Sequence, residues 1–292
     1  MRLVSSPQSP FIRCGPAGWL FPHWESTVYP RPVPRGFHPL EFLADRFDVI
    51  EIPQTFHQIP KPELAKLWGN RVSHNTRFRF TARLHRDFTH ERRLDREIVR
   101  AFTEGLQPLQ EQERLGCVLM QFPSAFRFTA ENKEFLIRLR RAFPSLPLVA
   151  ELQHASWGME EGVGTLIDSH VGFCNLDQPA HVRAMPPTAH LTWRVGYVKL
   201  YGRAEVEEPG SGSGYLCKLP ELDQWKKRID QVARFAESTY VIFHNDGGGA
   251  SAINALQMQG ILESNRTTAK LPPGQPWMQG VEQTKLFSTA AA

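Results

Sequence analysis

Two glutamates that close apolar runs are the first candidates for chemistry: Glu51 follows Val49-Ile50, and Glu151 follows Val149-Ala150. A carboxylate drawn partly out of water has a raised pKa, which a general acid or base requires. Two carboxylates facing one cleft are also the machinery of a glycosidase. The competing role for each is an ion pair with Lys199, Arg83 or Arg203. His154 and Asp177, taken with Glu151, add the residue types of a divalent metal site. Glu51, Glu151, His154 and Asp177 are therefore the candidate catalytic residues, the last three also the ligands of any metal cofactor. Their spacing matches no metal motif, so only the fold can bring them together.

A second kind of chemistry lies in His244–Leu256, where an apolar run ends, Gly247-Gly248-Gly249 turn the chain, and small residues open a helix. Free amides at a helix start, with no Cβ in the way, suit an anion. Asn245 lies beside the turn, and Lys199 and Arg203 add charge. The plainer role of the glycines is to supply turn angles. Trp19, Phe56, Trp157 and Tyr201 stand at predicted loop starts, where they form a wall for a base or sugar, or pack the loops.

These residues need a scaffold, and the hydropathy pattern supplies one. Strands are predicted at 11–15, 48–52, 77–82, 116–122, 146–152, 171–176, 196–200 and 240–244. Helix-period segments lie between them. One places Ile98, Val99, Phe102, Leu106 and Leu109 on a single face; another does so with Phe135, Leu136, Leu139 and Phe143; a third with Trp225, Ile229, Val232 and Phe235. Thr129 is a predicted helix starter, as is Ser251 or Asn254. Strands alternating with helices, several of them apolar on consecutive residues, imply a parallel sheet covered on both faces. The fold class is α/β, a single TIM (β/α)8 barrel over residues 1–269, with an open α/β sheet as runner-up. A C-terminal tail over 270–292 has no core pattern and is expected to be poorly ordered, and the acidic, Gly/Ser-rich stretch 203–214 is expected to be a mobile loop. In a barrel, every candidate above falls near the C-terminal end of a strand, where barrel sites are built.

Composition sets the outer limits. With 41% hydrophobic and 22% charged residues the chain is neither disordered nor collagen-like. Thirty-four Lys+Arg against 30 Asp+Glu leave a mild excess of +4, which permits anionic partners without demanding them. Cys14, Cys117, Cys174 and Cys217 are far apart, so they read as reduced residues of a cytoplasmic protein. No stretch approaches the roughly 18 apolar residues of a membrane span, and the N-terminus has no signal-peptide core.

Several segments, in order, resemble the YecE-like family of TIM-barrel proteins of unknown function. They are Gly15-Pro16-Ala17-Gly18-Trp19 with Trp24 and Tyr29-Pro30; Ile50-Glu51-Ile52 through Thr55-Phe56-His57; and Phe78-Arg79-Phe80 through Thr89-His90. Next come Leu115-Gly116 through Gln121-Phe122-Pro123, then Glu151-Leu152-Gln153-His154-Ala155-Ser156-Trp157. The series ends with Tyr197–Arg203, and with Phe243-His244-Asn245 followed by Asn254-Ala255. The resemblance implies a barrel with its site at the C-terminal face, and no reaction. Gln153 stands where the family has Arg, Tyr201 where it has His, Pro53 where it has Asn, and Arg83 where Lys is common. These departures mark a divergent member, with either an altered substrate or a lost activity.

The leading function is a hydrolase, phosphodiesterase-like, acting on a small phosphorylated molecule or nucleic acid, by analogy with metal-dependent enzymes on similar barrels. A glycosidase using Glu51 and Glu151 and a non-catalytic anion-binding barrel are the alternatives. The glycine turn generates a direct expectation: a crystal grown with phosphate shows a tetrahedral ion at Gly247–Gly249, and Gly248→Val abolishes it while the barrel stays folded.

Overall fold

A computed structural model describes residues 11–179, 183–202, 214–245 and 247–263. Eight strands form one parallel sheet: β1 (Phe11–Pro16), β2 (Val49–Ile52), β3 (Arg79–Arg83), β4 (Leu115–Gln121), β5 (Leu148–Glu151), β6 (Gly172–Asp177), β7 (Val195–Leu200) and β8 (Ser238–Phe243). The hydrogen-bonded order is β1-β8-β7-β6-β5-β4-β3-β2. Every predicted strand is present, with ends shifted by a residue or two. The sheet is a nearly closed TIM-like barrel, because the two outer strands of that order meet. Ala17 bridges Glu51, and the Gly18 amide donates to the Glu51 carbonyl at 2.9 Å.

Among the described residues eight α-helices accompany the strands: α1 (Pro39–Ala44), α2 (Pro62–Arg71), α3 (Arg86–Thr89), α4 (Arg96–Glu111), α5 (Ala130–Ala142), α6 (Glu160–Asp168), α7 (Leu219–Ala233) and α8 (Ala250–Glu263). The predicted faces of α4 and α5 pack on the sheet through Phe102, Leu106 and Leu109, and through Phe135, Leu136 and Leu139. Thr129 caps α5, its hydroxyl accepting from the Asn132 amide at 3.2 Å, so an orphan donor of the first turn is satisfied.

Three expectations are corrected. Phe235 lies past the end of α7 and is 74% exposed, because the helix stops before its face comes round again. Helix α8 starts at Ala250, so Ser251 and Asn254 are buried inside it rather than capping it. The connection from β6 to β7 carries no helix among its described residues. Buried Asn175 fastens it instead: its amide donates to the carbonyls of His190 and Tyr197, and its oxygen accepts from the Thr188 hydroxyl and the His190 amide.

Apolar packing occupies two shells. Val49, Cys117, Leu119, Val149, Cys174, Leu176, Tyr197, Tyr240 and Ile242 fill the barrel interior, and a larger cluster lies between sheet and helices. All four cysteines are buried and free. Among the described residues no helix is long and apolar enough to cross a membrane. The predicted tail (270–292) and Arg203, with most of the 203–214 loop, lie outside the described residues.

The closing seam depends on Gly15. A Cβ there would stand 1.9 Å from the Val49 carbonyl oxygen, so β1 and β2 approach closely only because that position has no side chain. Gly15→Ala is expected to destabilise the barrel by about 1–3 kcal/mol, the usual cost of overpacking, read as a lowered urea midpoint. An unchanged midpoint would mean the seam does not constrain the fold.

Candidate active site

Alternation along the strands decides which side chains enter the barrel. On β7 it turns Tyr197 and Lys199 inward, with Tyr201 two residues beyond. On β3 it turns Thr81 and Arg83, on β2 Glu51, on β4 Gln121, on β5 Glu151, and just past β8 His244. At the C-terminal mouth they form one network. Lys199 Nζ lies 3.1 Å from Glu51 Oε1 and 3.2 Å from Glu151 Oε2, and all three side chains are fully buried. Arg83 Nε donates to Glu51 Oε1 at 2.7 Å, and the Tyr197 hydroxyl donates to Glu51 Oε2 at 2.8 Å. Glu151 Oε1 accepts from the Tyr201 hydroxyl at 2.5 Å and from Gln121 Nε2 at 2.9 Å. Arg83 Nη2 approaches His244 Nδ1 at 3.0 Å, and Nη1 approaches Gln121 Oε1 at 3.4 Å.

The charges set one another's protonation. Burial disfavours the ionised form of Glu51, yet the adjacent Arg83 and Lys199 outweigh it and hold the carboxyl well below the usual range. Burial also works against the charge on Arg83, and Glu51 reverses that, pushing its pKa up. His244 is driven far down, by burial first and then by Arg83 and Lys199, so the ring is neutral near pH 7. With the nearer nitrogen, Nδ1, accepting from Arg83, Nε2 carries the proton. Burial, together with Arg83, Arg86 and His85, also lowers His57 on the loop after β2.

Of the predicted residues, Glu51, Glu151, Lys199 and Tyr201 converge. The carboxylates do not work as a glycosidase pair: the buried lysine between them ties up both, and Glu51 stays ionised where a general acid must hold a proton. Lys199 points at them and not at the glycine turn. His154 is an anchor whose Nδ1 lies 2.8 Å from the Ser156 hydroxyl and accepts from the Ser156 amide, holding the turn after β5. Asp177 is buried at the end of β6. Among the described residues no three His, Cys, Asp or Glu side chains gather closely enough to hold a metal, so Glu151, His154 and Asp177 are not a ligand set.

Two of the four predicted wall aromatics are core. Trp19 packs edge-on against Trp68, and Trp157 stacks on Phe126 with its indole N–H donating to the Phe126 carbonyl. Phe56 stays half-buried between His57 and His90, and the Tyr201 ring lies 5.0 Å from that of His244. Asn245 is structural, its amide donating to the Tyr215 carbonyl and to Asn254 Oδ1. In the Gly247–Gly249 turn, Gly248 is exposed, while a Cβ on Gly249 would press on Thr27 and Val28, which gives that glycine a packing role. Arg83, Gln121 and His244 fall at predicted strand ends but had no assigned role, and Tyr197 was not singled out. Counting by twos toward each strand end is the signal that finds them.

Residues 13–280 match the family described as Protein of unknown function DUF72. The chain belongs to the DUF72 family, for which YecE-like is another name. It is 23% identical over 273 residues to the UPF0759 protein YunF of Bacillus subtilis, spanning 86% of this chain and 95% of that protein. A DUF72 family protein of Thermotoga maritima is 28% identical, with a TM-score of 0.75 over 87% of this chain and 99% of its own. One from Enterococcus faecalis is 23% identical, with a TM-score of 0.76 over 91% and 99%, a likeness of fold.

Removing one partner from this DUF72 network leaves buried charge behind. Glu51→Gln strands Arg83 and half of the Lys199 bridge, and is expected to cost about 3–5 kcal/mol. Glu51 has a folded pKa below its unfolded value of about 4.3. Its ionisation therefore stabilises the fold above that pH, and the contribution is lost as pH falls toward the folded value. Urea unfolding followed across the acid range should give a shallower limb in the variant. An equally steep limb would show that Glu51 does not carry it.

Proposed function

We propose that the chain is a hydrolase of phosphate esters that binds an anionic substrate at the C-terminal mouth. One observation carries this: a buried, mutually paired set of two acids and two bases backs an edge formed by Arg83, neutral His244 and Tyr201. Buried charge is costly, and in a cleft it is more often kept for chemistry than for stability. Phosphoryl transfer asks for little covalent help from a protein; positioning and stabilisation of charge supply most of the rate.

In this scheme Glu51 and Gln121 orient the Arg83 guanidinium, whose outer edge meets the phosphate. His244 donates a hydrogen bond from Nε2 to a phosphate oxygen, while the attacking water's proton passes through solvent to the leaving oxygen as the P–O bond breaks. Tyr201, kept protonated by burial and by Glu151, offers a further polar contact. Amides of the Gly247–Gly249 turn, just beyond His244, contribute to the same rim. The half-buried Phe56 ring beside the mouth suits a substrate with a base or other flat group, a phosphorylated small molecule or a nucleic-acid fragment. Four free, buried thiols fit a reducing cytoplasm.

The complete pairing of Glu151 favours a second reading, an anion-binding barrel without turnover, because no carboxylate is left free to act as a base.

Hydrolysis of p-nitrophenyl phosphate and bis-p-nitrophenyl phosphate separates the two. The native chain should cleave at least one ester, and His244→Ala should slow it by about 10²–10⁴-fold with the melting temperature little changed. Phosphate binding without cleavage, weakened by Arg83→Gln, would select the non-catalytic barrel. A rate indifferent to His244→Ala sinks the enzyme.

A further inference from the structure

At the opposite end of the barrel several arginines gather. Stepping by twos down β1 from inward-facing Ala17 gives Gly15 and then Arg13; stepping down β3 from Arg83 gives Thr81 and then Arg79. Both arginines thus point into the N-terminal opening. Arg13 is only 7% exposed, and its guanidinium carbon lies 5.9 Å from the ring centre of Tyr240, its register partner on β8. Its Nε donates to the Arg77 carbonyl at 2.9 Å and its Nη1 to the Ser238 hydroxyl at 3.3 Å. Arg79 Nη1 donates to the carbonyls of Thr76 and Phe78. Arg114, just ahead of β4, bonds the Asn75 carbonyl at 2.6 Å.

Among the described residues none of these three arginines forms an ion pair. Of the acids near this end, Asp48 is held by Arg77 at 2.9 Å and by Asn75 at 3.0 Å, and Glu237 lies 3.8 Å from Arg194. Burial, and then the charge of Arg79, push the pKa values of Arg13 and Arg114 down, although Tyr240 and Asp48 partly offset this at Arg13. An arginine does not relieve such crowding by losing its proton. At the C-terminal mouth, by contrast, Arg83 and Lys199 have carboxylate partners.

We infer that the N-terminal opening of the barrel is a second anion site, in which Arg13 and Arg79, with Arg114 at the rim, hold a phosphate group. Forked guanidinium donors match phosphate oxygens in pairs, and Arg13 is already fixed in place by its two hydrogen bonds. The group is either free phosphate or the terminal phosphate of a larger molecule. Nothing in this site depends on the chemistry proposed for the C-terminal mouth.

Calorimetric titration of the full chain with inorganic phosphate at constant ionic strength tests the site, together with a crystal soaked in phosphate. The expected result is saturable binding and a tetrahedral ion within hydrogen-bonding reach of Arg13 and Arg79. Arg79→Gln, whose side chain is half-buried at the barrel end, should weaken that binding by about tenfold or more. Arg114→Gln should weaken it less, and Arg100→Gln, exposed on α4, should retain it. Circular dichroism confirms that each variant is folded. Tighter binding of a 5′-mononucleotide than of phosphate would identify an esterified phosphate as the occupant; equal or weaker binding would identify the free ion. No saturable binding, binding unchanged by Arg79→Gln, or binding lost equally in Arg100→Gln would each overturn the site and leave these arginines as a structural plug.

Discussion

Lys199 is the group on which the mouth of this barrel depends. Its ammonium lies between Glu51 and Glu151, and the other polar members of the site attach to those two acids directly or, for His244, through Arg83. Arg83 and Tyr197 hang on Glu51; Gln121 and Tyr201 hang on Glu151. Two positive and two negative charges out of water are tolerable only when all are paired, since the desolvation cost of each is several kcal/mol. That requirement fixes the relative positions of β2, β3, β5 and β7. Glu51 takes part twice: its backbone carbonyl receives the Gly18 amide at the seam where the barrel closes, and its side chain anchors the network. Closure and site assembly therefore act through one residue.

Full pairing also limits the chemistry. With both carboxylates occupied, the remaining polar groups of the mouth are buried Arg83 and the partly exposed His244 and Tyr201. They are held in place before any ligand arrives, the condition under which electrostatic stabilisation is strongest. Burial first, and then the charge of Arg83, pushes both His57 and His244 down. The two ends of the barrel then differ in kind. At one end the cations are paired with acids; at the other, Arg13, Arg79 and Arg114 bond backbone carbonyls instead.

The aromatic residues near the mouth serve mainly to hold its loops. The Tyr29 hydroxyl donates to the Trp19 carbonyl, and Trp157 reaches the Phe126 carbonyl while stacking on its ring. A buried indole or phenol needs a partner for its polar atom, and here the partners are loop carbonyls. Burying each ring therefore also fixes a loop, which helps keep His154 and the β5 end rigid.

The strands, the inward faces of α4 and α5 and the barrel class were legible in the sequence because they follow from local rules: apolar runs, helical spacing, a capping threonine. The placement of the two glutamates and Tyr201 at the C-terminal end of the barrel was legible for a related reason, since polar groups that close apolar runs fall at barrel strand ends. What each would do was not. Whether Glu51 is an acid or one half of an ion pair turns on a lysine 148 positions away, and that distance exists only once the sheet has curved. Trp19 and Trp157 could not be told from ligand-facing aromatics, because burial is decided by which helices pack behind them. His154 lost its metal role to a serine two residues on, a local contact that competes with ligation only in the turn the fold imposes. Composition and periodicity determine which elements form. The pairing of charges across the barrel is long-range, and only closure of the sheet decides it.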